Sequence, residues 1–413
     1  MINQSIPNTF FKNNRLKLFK QSQADMIIVT ANGLLQKSAD EHLPFGQDSS
    51  FWYLTGLNEP DLILVITQNE EFLIVPSHYT YRQSALADLD SELINQTSAI
   101  NQIFNEKEGW QKVKKDLKKD CKIATLLPAP ALMQYYGFYA NPARRRLYAK
   151  IKRLSNDVII IDIRQKIATL RMVKQPIEIN LIQKALDITI QTLKEVLTVK
   201  NLKNYHDTRT IEQDILSGFI RRGGSGHAFD PIIAIGKNAT YIHYNKLADS
   251  ITSGQLMVCD VGSRYMGYNA DITRTVVGHS KASHRQQEVY NAVKEIQQET
   301  YKLIKAGIKA KDYEHQVETL VGQQLIKLGI IKKLDHQAIK RYYPHACSHS
   351  LGIDTHDPAD YNYPLPENVV MTVEPGIYIK EEGIGVRLED VVRVTKNGCQ
   401  LMTADLPTSL YIS

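Results

Sequence analysis

Four carboxylates in two segments carry the first chemical signal. In MVCDVGSRYMGYNADITRT, residues 257–275, Asp260 and Asp271 flank a glycine-containing turn, in chain otherwise apolar or β-prone enough to be buried. In VVMTVEPGIYIKEEGIGVRLEDVVRVT, residues 369–395, Glu374 precedes a Pro-Gly step and Glu389 lies in the returning arm. Both segments read as hairpins with one carboxylate on each arm. Opposing Asp260 to Asp271 centres the first turn between Tyr265 and Met266, beside Gly267; opposing Glu374 to Glu389 centres the second between Glu381 and Glu382. Side-chain alternation then sets Thr273 and Thr275 on the face of Asp271, and Arg387 on the face of Glu389. Two bare carboxylates about 5 Å apart repel by roughly 3 kcal/mol at an effective dielectric of about 20. Each pair therefore needs a shared proton or a cation between its members.

Between the hairpins, YYPHACSHSLGIDTHDP (342–358) holds His345, His349 and His356. Pro344 and Gly352 interrupt helical continuity, so the 345/349 spacing is not that of a metalloprotease helix. One buried histidine is ordinarily a satisfied core residue; three close together between two acidic hairpins suggest a site. Four carboxylates and two divalent cations balance in charge, and one neutral imidazole completes such a centre. Oxygen-rich ligation with a single histidine points to Mn²⁺ or another first-row metal rather than a thiolate zinc site.

The elements that must position these groups divide the chain in two. Length, 413 residues with 43% hydrophobic and 23% charged, suggests two domains. Residues 1–168 read as a mixed α/β domain, with DMIIVT (25–30), DLILVIT (61–67), EFLIVP (71–76) and DVIIIDI (157–163) as buried strands. From residue 169 the pattern becomes helical: Pro176 suits a first helical position, and Leu181, Ala185, Ile188 and Leu193 recur at helical spacing. Residues 169–413 are the second domain. Cys121, Cys259, Cys347 and Cys399 show no metal or disulfide spacing, which fits a reducing compartment. The N-terminus lacks an apolar leader and no stretch is apolar enough to span a bilayer, so the expected location is the cytoplasm without membrane association. The net charge of +6 gathers in QKVKKDLKKDCK (111–122) and RRRLYAKIKR (144–153), which read as solvated helix faces; without interleaved aromatics, nucleic acid is not the expected partner.

HYNKLADS with His243, CDVGSRYMGYNADITRT, HACSHSLGIDTHD, TVEPGIYI and GIGVRLED resemble, in that order, the motifs of the pita-bread metallopeptidases, the family of aminopeptidase P, prolidase and methionine aminopeptidase. FGQDSSFWYLTGLNEPDLILVI (45–66) resembles the small α/β domain that precedes the catalytic domain in aminopeptidase P and prolidase. The resemblance implies an α/β N-terminal domain of the aminopeptidase P type followed by an α+β pita-bread catalytic domain with a curved antiparallel sheet. It implies two divalent ions, Mn²⁺ first with Zn²⁺, Co²⁺ or Fe²⁺ as alternatives, on Asp260, Asp271, His349, Glu374 and Glu389. Asp271 and Glu389 would bridge both ions, Asp260 would hold one, and His349 with Glu374 the other.

The same resemblance implies a metallo-aminopeptidase that hydrolyses the N-terminal Xaa-Pro bond by attack of a metal-bridging hydroxide, with Glu374 as base. His243 and His356 would contact substrate and share in catalysis, and His345, Arg387 and Tyr378 would line the proline pocket. Arg387 would also fix Asp260 through a network shared with Tyr378. The implied partners are peptides with proline second and further copies of the chain, as a homodimer or homotetramer. Two other readings stand: a prolidase, whose Glu374–Glu389 connection is similarly short, and a metal-free binding scaffold.

Overall fold

The computed structural model describes residues 6–78, 90–128, 137–155, 157–246, 248–278 and 281–412. The chain forms two compact units, Met1–Leu170 and Arg171–Ser413.

In the first unit, β1 (Met26–Thr30) is the centre of a six-stranded sheet. The short hairpin β2 (Gln36–Ser38) and β3 (Glu41–His42) follows it outside that sheet, and β4 (Ile63–Thr67), β5 (Glu71–Val75), β6 (Ile103–Asn105), β7 (Lys122–Thr125) and β8 (Ile159–Asp162) complete it in the order β6-β5-β4-β1-β7-β8. β4 runs antiparallel to both β1 and β5, whereas β7 is parallel to β1 and β8. All five residues of β1 are buried, as a central strand of continuous apolar sequence must be. The two basic segments lie in and just after the helix Glu106–Asp116, and in the helix Ala143–Lys152. These helices press Trp110, Val113, Leu147 and Ile151 onto the sheet. Part of their charge is paired, Lys150 with Glu106 and Arg144 with Asp48.

One buried cation ties this unit together. Arg15, fully buried in the helix Asn8–Ser22, donates to the carbonyls of Leu54 (2.7 Å) and Ser98 (2.8 Å) and forks onto the Glu71 carboxylate at 2.7 and 2.6 Å. It thereby joins the ends of two helices to an edge of β5. Arg15→Met keeps an apolar stem but leaves Glu71 and both carbonyls without their donor. The expected loss is about 3 kcal/mol, read as a lowered midpoint of denaturant unfolding followed by Trp52 and Trp110 fluorescence.

The second unit opens with the helix Pro176–Val196, Pro176 at its first position and a capping box between Gln175 and Glu178. Its sheets are antiparallel: β9 (Ile232–Ile235), β10 (Leu256–Val261) and β13 (Ile272–Val277) in the order β13-β10-β9, with β11 (Arg264–Tyr265) and β12 (Tyr268–Asn269) forming the tip of the β10/β13 hairpin. β14 (Val370–Val373), β15 (Gly376–Ile379), β16 (Ile384–Arg387), β17 (Asp390–Thr395) and β18 (Gly398–Leu401) follow, with β14 on β17 and β15 on β16. The helices His284–Leu303 and Ala310–Lys327 bury Val289, Val293, Ile296, Val317, Val321 and Leu325 against these strands.

The second hairpin has the expected register: Gly376 opposes Arg387, Val373 opposes Asp390, and the turn centres between Glu381 and Glu382. Glu374 and Glu389 face each other where the ladder breaks between its two halves. The first hairpin differs. Asp260 opposes Thr273 instead of Asp271, and the turn centres between Met266 and Gly267. Both turn residues have positive φ, 47° and 86°, which favours the register that seats Gly267 inside the two-residue turn. Asp271 sits one step diagonally from Asp260, still on the same face. Gly262 keeps the arms close, since a Cβ there would lie 1.7 Å from the Ala270 carbonyl oxygen.

Candidate metal centre

Threonines on the face of Asp271 join the two hairpins. Thr273 Oγ1 donates to Glu389 Oε2 at 2.7 Å and accepts from Arg387 Nε at 3.2 Å, while the Glu389 amide donates to the Thr273 carbonyl at 3.0 Å. Thr275 exchanges two hydrogen bonds with the Arg387 backbone, at 2.8 and 3.1 Å. Behind this seam Arg274, also fully buried, donates to the carbonyls of Thr273 and Glu389 and to the Asp390 carboxylate. The result holds Asp260, Asp271 and Glu389 on one buried surface, with Glu374 at its edge.

His349 joins them from the 342–358 segment, which is non-helical from Tyr343 onward. Its amide donates to Thr372 Oγ1 (3.0 Å), and Thr372 Oγ1 donates to Glu374 Oε1 (3.2 Å). The imidazole Nδ1 meets the Ser350 carbonyl at 3.2 Å, so Nδ1 carries the proton and Nε2 faces inward. That Nε2 lies 3.2 Å from Glu374 Oε1 and 3.5 Å from Asp271 Oδ2. Ligand atoms of Asp271, His349 and Glu389 all fall within 4.8 Å of one another.

The electrostatics are those of excess negative charge. Burial, then the charges of Glu389, Asp260 and Glu374, push Asp271 well above the ordinary carboxylate range. Glu389 is pushed up too, by burial and by Glu374 and Asp260. Burial opposes the Glu374 anion as well, but its hydrogen bond to His349 and the nearby Arg387 bring it below its usual value. Among the described residues Asp260 Oδ1 is buried without a hydrogen-bond partner. An inward-facing imidazole nitrogen, an orphaned carboxylate oxygen and mutually repelling acids together fit a divalent cation, since hard oxygen donors with one imidazole are its ligand chemistry. A histidine whose second nitrogen bonds a backbone carbonyl is oriented as metal-binding histidines are.

The other expected residues surround this cluster. Arg387, 2% exposed, gives Nη2 to Asp260 Oδ2 at 2.6 Å and Nη1 to the Tyr378 hydroxyl at 3.1 Å. Tyr378 in turn meets His345 Nε2 at 2.9 Å, and His345 Nδ1 meets the Ala346 carbonyl at 2.8 Å. Burial pushes His345 down to about 4, so its ring is neutral, with the proton on Nδ1 and Nε2 accepting from Tyr378. His356 stacks edge-on against His349 with ring centroids 4.2 Å apart. His243 is exposed, on a loop whose Ile242 carbonyl accepts from Arg387 at 3.4 Å. Sequence reasoning missed Thr372, whose position two residues before Glu374 on the same strand face was a usable signal. It also missed Glu314, from a distant helix, which accepts the Cys347 amide at 3.0 and 3.2 Å and had no such signal.

The chain belongs to metallopeptidase family M24, whose model matches residues 180–396, and an aminopeptidase P N-terminal domain matches residues 11–115. It is a metallo-aminopeptidase of the pita-bread fold, and the family implies divalent metal ions. The Xaa-Pro aminopeptidase of Haemophilus influenzae is 30% identical over 98% of this chain and 96% of its own length. A structure of a putative aminopeptidase P from Bacillus anthracis superposes with a TM-score of 0.86 at 27% identity, covering 98% of this chain and 97% of that one. Aminopeptidase P from Escherichia coli with the inhibitor Pro-Leu gives 0.82 at 25% identity, over 98% and 97%.

If Arg387 holds Asp260 in place for a cation, Arg387→Met should weaken divalent-ion affinity by about 10- to 100-fold. Chelator-competition titration of the purified variant measures this. Unchanged affinity would remove Arg387 from the centre.

Proposed function

We propose that this chain hydrolyses the N-terminal Xaa-Pro bond of peptides, with two divalent ions, Mn²⁺ first among them, held by Asp260, Asp271, His349, Glu374 and Glu389. The observation that carries the reading is the convergence of four carboxylates on one imidazole, with Asp260 Oδ1 buried and, among the described residues, without a hydrogen-bond partner. In this reading Asp271 and Glu389 would serve both ions, Asp260 would hold one, and His349 with Glu374 the other. A metal-free scaffold would have to leave that repulsion uncompensated.

Divalent ions bound there would acidify a water and polarise the scissile carbonyl. Glu374, kept anionic by His349, takes the proton of the attacking water and delivers it to the leaving nitrogen. That delivery matters before proline, whose imide nitrogen has no proton of its own. His356 and His243 donate to the carbonyl oxygen and the adjoining peptide group as charge develops. Tyr378, neutral His345 and the stem of Arg387 form the wall that receives the proline ring. The free amine binds beside Asp260, limiting cleavage to the first residue. Unbridged cysteines support a cytoplasmic location; among the described residues no helix is long and apolar enough to cross a membrane. A homodimer or homotetramer without nucleic-acid partners belongs to the same reading.

Glu374→Gln should lower kcat by at least ~10², the scale of lost general-base catalysis, with the far-ultraviolet circular dichroism unchanged. Near wild-type turnover would exclude Glu374 as the base. The tight β15/β16 connection favours a second reading, a prolidase specific for dipeptides. Peptide length separates the two, because a prolidase pairs a cation with the carboxylate of a terminal proline and loses that pairing when the chain continues. We expect a higher kcat/KM for Xaa-Pro-Yaa than for Xaa-Pro, one free N-terminal residue released, and dependence on added Mn²⁺. Preference for the dipeptide would establish the prolidase; absence of both hydrolysis and bound metal would establish the scaffold.

A further inference from the structure

The His356 ring is exposed, stacks on His349, and among the described residues receives no hydrogen bond or ion pair. Beyond that stacking, its aim comes from its own backbone. The next residue, Asp357, points the other way and is buried, its side chain 1% exposed. Asp357 Oδ1 accepts from Arg171 Nη2 at 2.6 Å and from the Asp354 amide at 3.1 Å, and Oδ2 accepts from Lys174 Nζ at 3.1 Å. The Asp357 amide donates to the Ser350 carbonyl at 2.9 Å, closing the loop on itself. Gly352 is required by this carboxylate, because a Cβ there would lie 2.7 Å from Asp357 Cγ.

The two cations are themselves fixed. Arg171 also reaches Asp354 at 2.8 Å, and Lys174 Nζ donates to the Arg171 carbonyl at 2.6 Å. On the far side of the loop Asn269, two residues before Asp271, donates its amide to the Gly352 carbonyl at 2.8 Å and its Nδ2 to the Ile353 carbonyl at 3.0 Å. Tyr268 beside it donates to Glu178 at 3.0 Å, in the first turn of the helix that follows Lys174. The loop that ends in His356 is thus clamped between the Asp271 hairpin and the Arg171–Lys174 segment. Two cations and two carboxylates balance its charge, and several of the bonds are directional. Apolar packing could stabilise such a loop equally well, but it would not set the torsions of the last two residues as tightly.

We propose that Asp357, held by Arg171 and Lys174, is a positioning residue that aims the His356 imidazole at substrate beside the metal centre. The proposal rests on the reading of His356 as a substrate contact. Asp357→Asn removes the carboxylate that Arg171 and Lys174 share and leaves Arg171 only the partly exposed Asp354, so the loop end relaxes and His356 loses its aim.

A double-mutant cycle on Xaa-Pro-Yaa hydrolysis, with bound metal measured for each variant, separates positioning from general support of the fold. Asp357→Asn should lower kcat on the order of 10-fold or more, with KM and metal content little changed. In a His356→Ala background it should cause no further loss. An equal loss in both backgrounds, or none in either, overturns the proposal. Lys174→Met, which removes one of the two cations, should act in the same direction more weakly and serves if Asp357→Asn does not fold. A second arm needs no turnover: with ¹³C-labelled histidine, the His356 ring resonance, assigned by its loss in His356→Ala, should shift in Asp357→Asn and Lys174→Met. An unmoved resonance overturns the positioning role. Wild-type protein inactive on these peptides would overturn the substrate reading instead, leaving the resonance to decide on Asp357.

Discussion

Like charges held within a few ångströms inside a protein set the terms for the whole catalytic unit. Asp260, Asp271, Glu374 and Glu389 would each be content in water; brought together and buried, they repel one another, and Asp271 and Glu389 resist ionisation. The fold answers with fixed positive groups placed where they do not quench the cluster. Arg387 takes one oxygen of Asp260 and leaves the other bare. Arg274 is spent entirely on the reverse side, on carbonyls and Asp390, and never reaches the cavity side of Glu389. What remains is a deficit of positive charge of defined position, which is what a divalent ion requires of a protein.

Such a deficit needs rigid walls, because carboxylates free to move would swing apart or protonate. The two hairpins supply them by being stitched face to face through Thr273 and Thr275, whose small branched side chains suit a strand and whose hydroxyls both donate and accept. The histidine segment lies along β14, with one bridge from Ser350 to Met371 and backbone hydrogen bonds at Cys347, His349 and Leu351. Side chains from elsewhere hold the rest: Glu314 on Cys347, Thr372 on His349, Asn269 on the loop carbonyls, and Arg171 with Lys174 on Asp357. The N-terminal unit uses the same device once, with Arg15 binding two helix ends and Glu71. In each case a polar side chain from elsewhere in the chain makes directional bonds, and removing it strands its partners.

Much of this was legible in the amino-acid order. Alternation along a strand is strictly two-residue, so a carboxylate on each arm of a hairpin and an arginine two residues before Glu389 could be assigned to one face without coordinates. The second hairpin's register followed from the same count. In the first hairpin the faces came out correctly but the pairing did not. Two registers differing by two residues keep every side chain on its face, and the choice between them was made by positive φ at Met266 and Gly267.

Contacts between residues far apart in the chain left no comparable trace. Arg171 and Lys174 precede Asp357 by more than 180 positions, and nothing in their own neighbourhood distinguishes them from surface cations of a helix start. Glu314 likewise reads as one more polar residue on an amphipathic helix. Local order determined the residue types, the hairpins and which groups share a face, because those depend on backbone periodicity over a few residues. Only the tertiary structure decided which oxygen of Asp260 stays bare, which nitrogen of His349 turns inward and what holds the histidine loop. Those outcomes depend on how separately folded segments meet, and there burial makes every unpaired polar atom costly enough to select a single arrangement.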